Sequence, residues 1–194
     1  AAVTGEGWQP LPTLLKDPNV AVVHATGLMK TPEYHAFEDT VERLQQLGLP
    51  SSIPGRYVCR EFFDDISDVY ALADLVIARS GAGVVMELAA VGKPSILVPK
   101  SDAAGDHQLE NAVVLEEAGA AEIFFEERSY EHGQPVVRVF GDALARKISG
   151  LLADEEQLLR MGRAAHRLAV ADAAARCIDA AEAVVDGAPT VVFR

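Results

Sequence analysis

The chain has 194 residues, which is enough for one well-packed domain with a small appendage. Apolar residues make up 49% and charged residues 24%, the composition of an ordinary globular protein. The formal net charge of -12 argues against a nucleic-acid partner, because phosphate contacts need a basic surface. No apolar run approaches the roughly 20 residues of a membrane-spanning helix. We therefore expect a cytoplasmic protein without a signal peptide.

The predicted elements alternate between strands and helices along the chain. A buried strand at residues 19–24 (NVAVVH) precedes a helix that is predicted to begin at Thr31-Pro32 and to stop at Gly48. Further strands are predicted at residues 56–62, 75–78, 95–99 and 120–125, and further helices at residues 66–73, 84–92 and 106–119. The polar segment 126–138 is predicted to be an irregular surface excursion, and everything from Asp142 onward to be helical. This order predicts an α/β fold, a Rossmann-like doubly wound parallel sheet with a helical C-terminal tail.

The cysteines and the acidic pairs carry no sign of a metal site. Cys59 and Cys177 are far apart in strand-like and helix-like segments, and we expect both to be reduced, buried thiols. Neither has the Cys/His spacing of a zinc site. The pair Glu126-Glu127 is interpreted as part of a solvated acidic face, and His24, at a strand end, as a core or rim histidine.

The most informative segment joins a strand to a helix at residues 75–92. The strand ends at Ala78, Arg79 and a turn of small residues (SGAG, 80–83) follow, and the helix carries Glu87. Parallel sheets bind ligands at the carboxyl ends of their strands, and small side chains there allow close approach. The start of the helix offers unpaired N–H groups to an anion. A carboxylate such as Glu87 suits sugar hydroxyls better than phosphates, so the segment predicts a nucleotide-sugar site.

Four ordered motifs resemble the C-terminal, donor-binding half of family 28 glycosyltransferases: RSGAG, MELAAVGKPSILVP, DHQLENA and LEEAGAA. The upstream words VVHATG and REFFDDISDVYALADLVIARSG fall in the family's order, so the similarity spans roughly residues 17–180. It implies one half of a GT-B fold, with a donor-binding domain at residues 1–166 and a C-terminal helix and tail at 167–194. It is nearest to bacterial members that add N-acetylglucosamine to the lipid-linked precursor of peptidoglycan. Their inverting transfer implies UDP-N-acetylglucosamine as substrate and no cofactor.

The resemblance also implies the donor-binding residues, while it leaves the catalytic residue unknown and no metal is expected. The loop that lines the diphosphate and sugar is matched by Arg79, Ser80, Gly81 and Ala82. The acid that accepts hydrogen bonds from the ribose hydroxyls is matched by Glu87. The polar pair that reaches the N-acetylglucosamine ring, with a histidine beside it, is matched by Gln108, Asn111 and His107. The position whose backbone reads the uracil edge is matched by Phe63.

The chain departs from the family's pattern at three places. Gly83 and Val84 stand where members usually carry Ser or Thr, and Lys100-Ser101-Asp102 stands where they usually have a His. The glycine-rich first loop is reduced to Gly5-Glu6-Gly7. We also expect the acceptor-binding domain to be missing. We therefore expect half an enzyme that is inactive alone. The acceptor-binding domain, or a partner chain, would bring the lipid-linked acceptor and hold the protein at the cytoplasmic membrane.

Two other functions remain open at this point. One is a stand-alone catalytic subunit of a two-chain UDP-N-acetylglucosamine transferase, whose acceptor half is a separate chain. The other is a non-catalytic module that binds nucleotide sugars. A glycine-rich GGTGGH-like loop upstream of Ala1 would select the single-chain transferase.

Overall fold

The computed structural model describes residues 10–32, 34–100, 107–131 and 134–185. The departures at Gly5-Glu6-Gly7 and Ser101-Asp102 lie outside these residues, as do the start of the first predicted domain and the end of the second. The helices are α1 (Leu11–Leu14), α2 (Ala36–Gln46), α3 (Ile66–Leu72), α4 (Ala82–Val91), α5 (His107–Glu117), α6 (Gly141–Leu152), α7 (Glu155–Arg167) and α8 (Ala173–Val185). The strands are β1 (Val22–Ala25), β2 (Ser52–Ile53), β3 (Tyr57–Arg60), β4 (Val76–Ala78), β5 (Ser95–Leu97), β6 (Ala121–Ile123), β7 (Glu127–Glu131) and β8 (Gln134–Arg138).

Two three-stranded sheets form the framework. In the first, with the order β1-β3-β2, strand β1 runs parallel to β3 and places Val22 opposite Tyr57, while the short β2 is antiparallel. The second sheet, with the order β4-β5-β6, is parallel throughout. The crossovers α4 and α5 connect its neighbouring strands, as parallel pairing requires. This architecture confirms the predicted Rossmann-like α/β fold.

The second sheet is covered on both faces, which explains its continuous apolar strands. One face packs through Ala78 and Leu97 against α4, α5 and α7. The other face packs through Ile96 and Val98 against α6, with Leu14 of α1 in the same cluster. Successive strand residues point to opposite faces, so neighbours such as Ile96 and Leu97 enter different layers.

Helix α1 connects the two sheets although it has only four residues. Leu11 packs with Leu44 and Tyr57 beside the first sheet, whereas Leu14 packs beside the second. The guanidinium of Arg56 fixes the chain after α1 by donating to the backbone carbonyls of Leu15, Asp17 and Val20. Helix α1 therefore joins the hydrophobic clusters beside the two sheets.

Helix α7 crosses the C-terminal end of α4 at very short range. Gly92 ends α4 with φ 64, a left-handed conformation that favours glycine. A Cβ atom at Gly162 of α7 would lie 2.8 Å from the carbonyl oxygen of Gly92, closer than real Cβ contacts allow. Both glycines are thus required by the packing of these two helices.

The predicted helix start at Thr31-Pro32 is wrong, since α2 begins at Ala36. Thr31 forms a turn with Tyr34 instead: its N–H donates to the Tyr34 carbonyl at 2.8 Å, and its hydroxyl accepts from the Tyr34 N–H at 3.1 Å. The carboxylate of Asp39 then accepts the N–H of His35, the residue before the helix, at 3.0 Å. The local turn satisfies the backbone groups that a longer helix would have used.

Two further sequence interpretations are corrected. Strands β7 and β8 form an antiparallel hairpin within the segment expected to be irregular, with Glu127 opposite Arg138. Such a two-stranded ribbon is held by backbone hydrogen bonds, and the pattern of apolar residues in the sequence does not predict them. Cys59 is buried as expected, but Cys177 is exposed, because α8 has no buried residue.

Among the described residues, no helix combines the length and the apolar character that crossing a bilayer requires.

His24, expected to be a core or rim histidine, is 8% exposed and lies in the first sheet. Its Nδ1 lies 3.1 Å from the hydroxyl of Tyr57 and 3.8 Å from the Sγ of Cys59. Burial lowers the pKa of His24 from 6.5 to about 4, because desolvation disfavours the charged imidazolium. Burial likewise raises the pKa of the Tyr57 hydroxyl and of the Cys59 thiol, so the cluster is neutral at physiological pH.

This buried histidine predicts a pH-dependent stability. Between pH 6.5 and 4, His24 takes up a proton in the unfolded chain but stays neutral in the folded chain. The free energy of unfolding therefore falls as the pH falls. The expected loss from this group is about 2 kcal/mol between pH 7 and 5. Urea unfolding of the wild type and of His24→Gln measures it, because the stability difference between them should shrink by that amount at pH 5. An equal difference at both pH values would contradict the assignment.

Candidate functional site

The carboxyl ends of β4 and β5 and the starts of α4 and α5 meet at one edge of the second sheet. The hydroxyl of Ser80, after β4, donates to the backbone carbonyl of Gln108 in α5 at 2.7 Å. The Nδ2 amide of Asn111 returns a hydrogen bond to the Ser80 carbonyl at 3.0 Å. The structure therefore brings the predicted diphosphate loop and the predicted sugar pair into direct contact.

Ser80 contributes through its backbone at this edge. Its side chain is fully buried, and its hydroxyl is directed to Gln108, away from solvent. The side chain thus fixes the distance between the loop and α5. A ligand above this loop would meet the main chain of Ser80 and its neighbours.

The two amide side chains of α5 hold loops in place. Gln108 accepts the backbone N–H of Lys100, after β5, on its Oε1 at 3.0 Å, and Asn111 binds the Ser80 carbonyl. Each contact uses one end of an amide that has both a donor and an acceptor end. The Nε2 of Gln108 and the Oδ1 of Asn111 are not needed for these loop contacts. His107, by contrast, is 80% exposed in its side chain and lies 3.6 Å from Glu110, one turn along the same helix.

Arg79 ties the ends of three strands together. Its Nη2 pairs with Glu126, beyond β6, at 2.5 Å, and its Nη1 donates to the carbonyl of Val98, after β5, at 3.2 Å. The two side chains are 19% and 6% exposed. The expectation that Glu126 belongs to a solvated face is therefore wrong. The Glu126 carboxylate therefore compensates the positive charge of Arg79 at the edge where the diphosphate is predicted to bind.

The first turn of α4 faces open space. Gly81 is the N-cap with φ -64 and no side-chain cap bond, so the N–H groups of the turn lack the usual capping oxygen. A Cβ atom at Gly81 or Gly83 would meet nothing within 4 Å, and neither glycine has a positive φ. Neither the backbone nor the packing of the protein requires glycine here. The feature fits a backbone that must be approached closely by a ligand.

Glu87 lies farther along α4 and is exposed. Its Oε2 accepts a hydrogen bond of 3.1 Å from the hydroxyl of Tyr70 on α3. Burial and the neighbouring carboxylate raise the pKa of Tyr70 to about 12, so this hydroxyl keeps its proton at physiological pH. The sequence analysis missed Tyr70 because it reads as one more apolar residue of the helix face that enters the core.

Phe63 follows β3, in the other sheet. The guanidinium of Arg60 lies 5.4 Å from the centroid of its ring. Phe63 is linked to the rest of the site through α3, which begins at Ile66 and carries Tyr70. Asp65 is the N-cap of that helix, although its carboxylate makes no cap hydrogen bond. Phe63 thus precedes α3 in the chain, and α3 carries the tyrosine that contacts Glu87.

No group of three or more His, Cys, Asp or Glu side chains that could hold a metal ion occurs among residues 10–32, 34–100, 107–131 and 134–185. Charge at this edge is supplied by the Arg79–Glu126 pair, by Glu87 and by the start of α4.

The chain is similar to known proteins over most of its length. Residues 10–177 match the model of the glycosyltransferase family 28 C-terminal domain. A relative from Nitratidesulfovibrio vulgaris, named UDP-N-acetylglucosamine--N-acetylmuramyl-(pentapeptide) pyrophosphoryl-undecaprenol N-acetylglucosamine transferase, is 44% identical over 129 residues, 65% of this chain and 32% of its own length. A relative of the same name from Shewanella piezotolerans is 44% identical over 142 residues, 71% of this chain and 35% of its own length. The chain spans about a third of the length of these relatives.

Solved structures give the same fold. The crystal structure of MurG from Acinetobacter baumannii superposes with a TM-score of 0.63 at 25% identity, covering 92% of this chain and 46% of that one. A UDP-N-acetylglucosamine 2-epimerase structure from Listeria monocytogenes gives a TM-score of 0.62 at 15% identity over 96% of this chain and 42% of that one, a likeness in fold alone.

Proposed function

The chain belongs to glycosyltransferase family 28 as a C-terminal domain, and from this we propose that it is the donor-binding half of an inverting UDP-N-acetylglucosamine transferase. The acceptor we propose is a lipid-linked precursor of peptidoglycan, after the printed name that the relatives share. The observation that carries the proposal is the open, uncapped first turn of α4 with Glu87 farther along the same helix. One end of this helix suits a diphosphate and the carboxylate suits a ribose.

The chemistry of transfer follows from that division of roles. The acceptor hydroxyl attacks the anomeric carbon directly, the bond from that carbon to the diphosphate oxygen breaks, and configuration inverts. Negative charge then grows on the departing UDP. The backbone N–H groups at the start of α4, together with the positive end of the helix dipole, stabilise that charge without a metal ion. The proposal needs no cofactor beyond the nucleotide sugar.

The remaining donor contacts are assigned by the chemistry of each group. The backbone at Phe63 pairs with the uracil edge, and the Glu87 carboxylate accepts hydrogen bonds from the ribose hydroxyls. Gln108 and Asn111 meet the sugar with the amide ends that do not hold the loops. Arg79 contributes to the diphosphate site as one half of its pair with Glu126.

An acceptor-binding domain, on the same chain or on a partner chain, completes the proposed enzyme. It would supply the catalytic base and the lipid-linked acceptor, and it would hold the complex at the cytoplasmic face of the membrane. Exposed apolar side chains at the carboxyl edge of the first sheet support such a partner: Leu28 is 63%, Met29 57% and Phe62 59% exposed. Their two loops are joined by the Gly27 N–H, which donates to the Glu61 carbonyl at 3.0 Å.

The proposal predicts that the purified chain prefers uracil nucleotides. We expect UDP and UDP-N-acetylglucosamine to bind at least roughly tenfold more tightly than ADP or GDP, a difference of about 1.4 kcal/mol, because backbone pairing to a uracil edge rejects purines. Competition calorimetry with the four nucleotides measures this preference, and UDP-glucose tests the choice of sugar. Equal or tighter binding of ADP would refute the uracil assignment.

A further inference from the structure

Tyr70 is built into the core in a way that fixes where its hydroxyl lies. The residue is 4% exposed and belongs to the buried cluster that contains Val76, Val85 and Leu88. Its hydroxyl donates to the Oε2 of Glu87, on the neighbouring helix α4, at 3.1 Å. Close packing leaves such a ring little freedom, so the donor is held by the core itself.

A second contact fixes the spacing between α3 and α4. The ammonium group of Lys93, just after α4, donates to the carbonyls of Ala71 and Ala73 at the C-terminal end of α3, at 3.2 and 2.9 Å. Carbonyls at a helix end have no partner within the helix, and a cation there is favourable. The two helices are thus joined at both Lys93 and Tyr70, and the hydroxyl cannot drift away from Glu87.

An exposed glutamate without such a partner would sample many rotamers, and ordering it on binding would cost conformational entropy. The Tyr70 hydroxyl occupies one lone pair of Oε2 and leaves Oε1 and the remaining lone pair of Oε2 available. A carboxylate accepts about four hydrogen bonds in all, so two hydroxyls of a ligand can still be bound.

We propose that Tyr70 is a positioning residue that pre-orients the Glu87 carboxylate for a vicinal diol, the 2′ and 3′ hydroxyls of the nucleotide ribose. This inference rests on the proposed donor-binding function and names a further residue of the same site. Tyr70 does not touch the ligand. It acts through Glu87 by removing the need to order that side chain at the moment of binding.

The test is Tyr70→Phe, which removes one oxygen atom and keeps the ring in the core. We expect the affinity for UDP to fall roughly 3- to 10-fold, less than the loss of the carboxylate itself, because only the orientation of Glu87 is affected. The affinity for 2′,3′-dideoxy-UDP, which lacks the diol, should be the same in the variant and the wild type. Calorimetric titration of both nucleotides against both proteins measures the two ratios.

Two controls make the result specific. Tyr57→Phe removes the hydroxyl of another buried tyrosine, which lies beside His24 in the first sheet, and should leave UDP affinity unchanged. In a Glu87→Ala background, Tyr70→Phe should have no further effect on UDP binding, since the two residues act as one unit.

The outcomes separate this inference from the proposed function. A wild-type chain that binds no UDP would overturn the proposed function, and Tyr70 with it. A wild type that binds UDP, with Glu87→Ala weaker and Tyr70→Phe unchanged, would overturn the role of Tyr70 alone. An equal loss for UDP and dideoxy-UDP in Tyr70→Phe would also overturn it, because a merely structural tyrosine affects both ligands alike.

Discussion

Glu87→Ala is expected to weaken UDP binding by roughly tenfold to a hundredfold. Hydrogen bonds from ribose hydroxyls to a carboxylate are charge-assisted and contribute about 1.5–3 kcal/mol. Glu87 is exposed, and among the described residues its carboxylate accepts a hydrogen bond from the hydroxyl of Tyr70, so its removal should leave the fold intact. Isothermal calorimetry gives the dissociation constant, and a thermal melt reports the stability of the same preparation.

Two variants control this experiment. Glu87→Gln keeps an acceptor for Tyr70 but removes the charge, and should lie between the wild type and Glu87→Ala. Glu156→Ala removes an exposed carboxylate of α7 that pairs with Arg160 of the same helix at 2.7 Å, and should bind UDP like the wild type. An unchanged dissociation constant together with a lowered melting temperature would show that Glu87 is structural.

The 194-residue chain by itself is expected to bind UDP-N-acetylglucosamine and to transfer no sugar. Slow hydrolysis of the donor is compatible with this expectation. A base within hydrogen-bond reach of the acceptor hydroxyl contributes on the order of 10²- to 10⁴-fold, and the positioning of the acceptor contributes several kcal/mol more. Among the described residues, the histidines offer no such base at the donor loop: His24 is buried beside Tyr57, and His107 lies exposed beside Glu110.

Radiolabelled UDP-N-acetylglucosamine and a lipid-linked muramyl-pentapeptide acceptor provide the assay for transfer. The full-length relative from Shewanella piezotolerans serves as the positive control, and its N-terminal part, added as a separate chain, should restore turnover if the halves are compatible. Robust transfer by the 194 residues alone would contradict the half-enzyme interpretation. The catalytic base would then lie within this chain, and His24 and Asp102 would be the first residues to replace.

The Rossmann-like fold could be predicted because its signals are local. Runs such as SILVP, apolar at every position, are typical of parallel strands buried on both faces, and Ile96 and Leu97 do enter the two opposite layers. The turn at residues 80–83 could be placed at a strand end because glycine and serine between a strand and a helix are typical turn residues. The family followed from the same segments.

The boundaries of helices and strands were harder to predict from the sequence where long-range or side-chain contacts compete with local conformational preference. Thr31-Pro32 has the sequence of a helix start, but the turn between Thr31 and Tyr34 moves that start to Ala36. The β7–β8 hairpin rests on backbone pairing. The pattern of residues in the polar segment 126–138 does not predict which backbone groups pair.

The sequence by itself determined the class of the fold, the family and the types of residue at the edge of the second sheet where β4 and β5 end. Periodicity and motif spacing are properties of the chain alone. Only the tertiary structure decided what those side chains contact. The hydroxyl of Ser80 is directed into the protein, Arg79 is paired with Glu126, and Glu87 is held by Tyr70. These pairs are separated by 17 to 47 positions, and which polar groups meet across such distances depends on how the helices pack on the sheet.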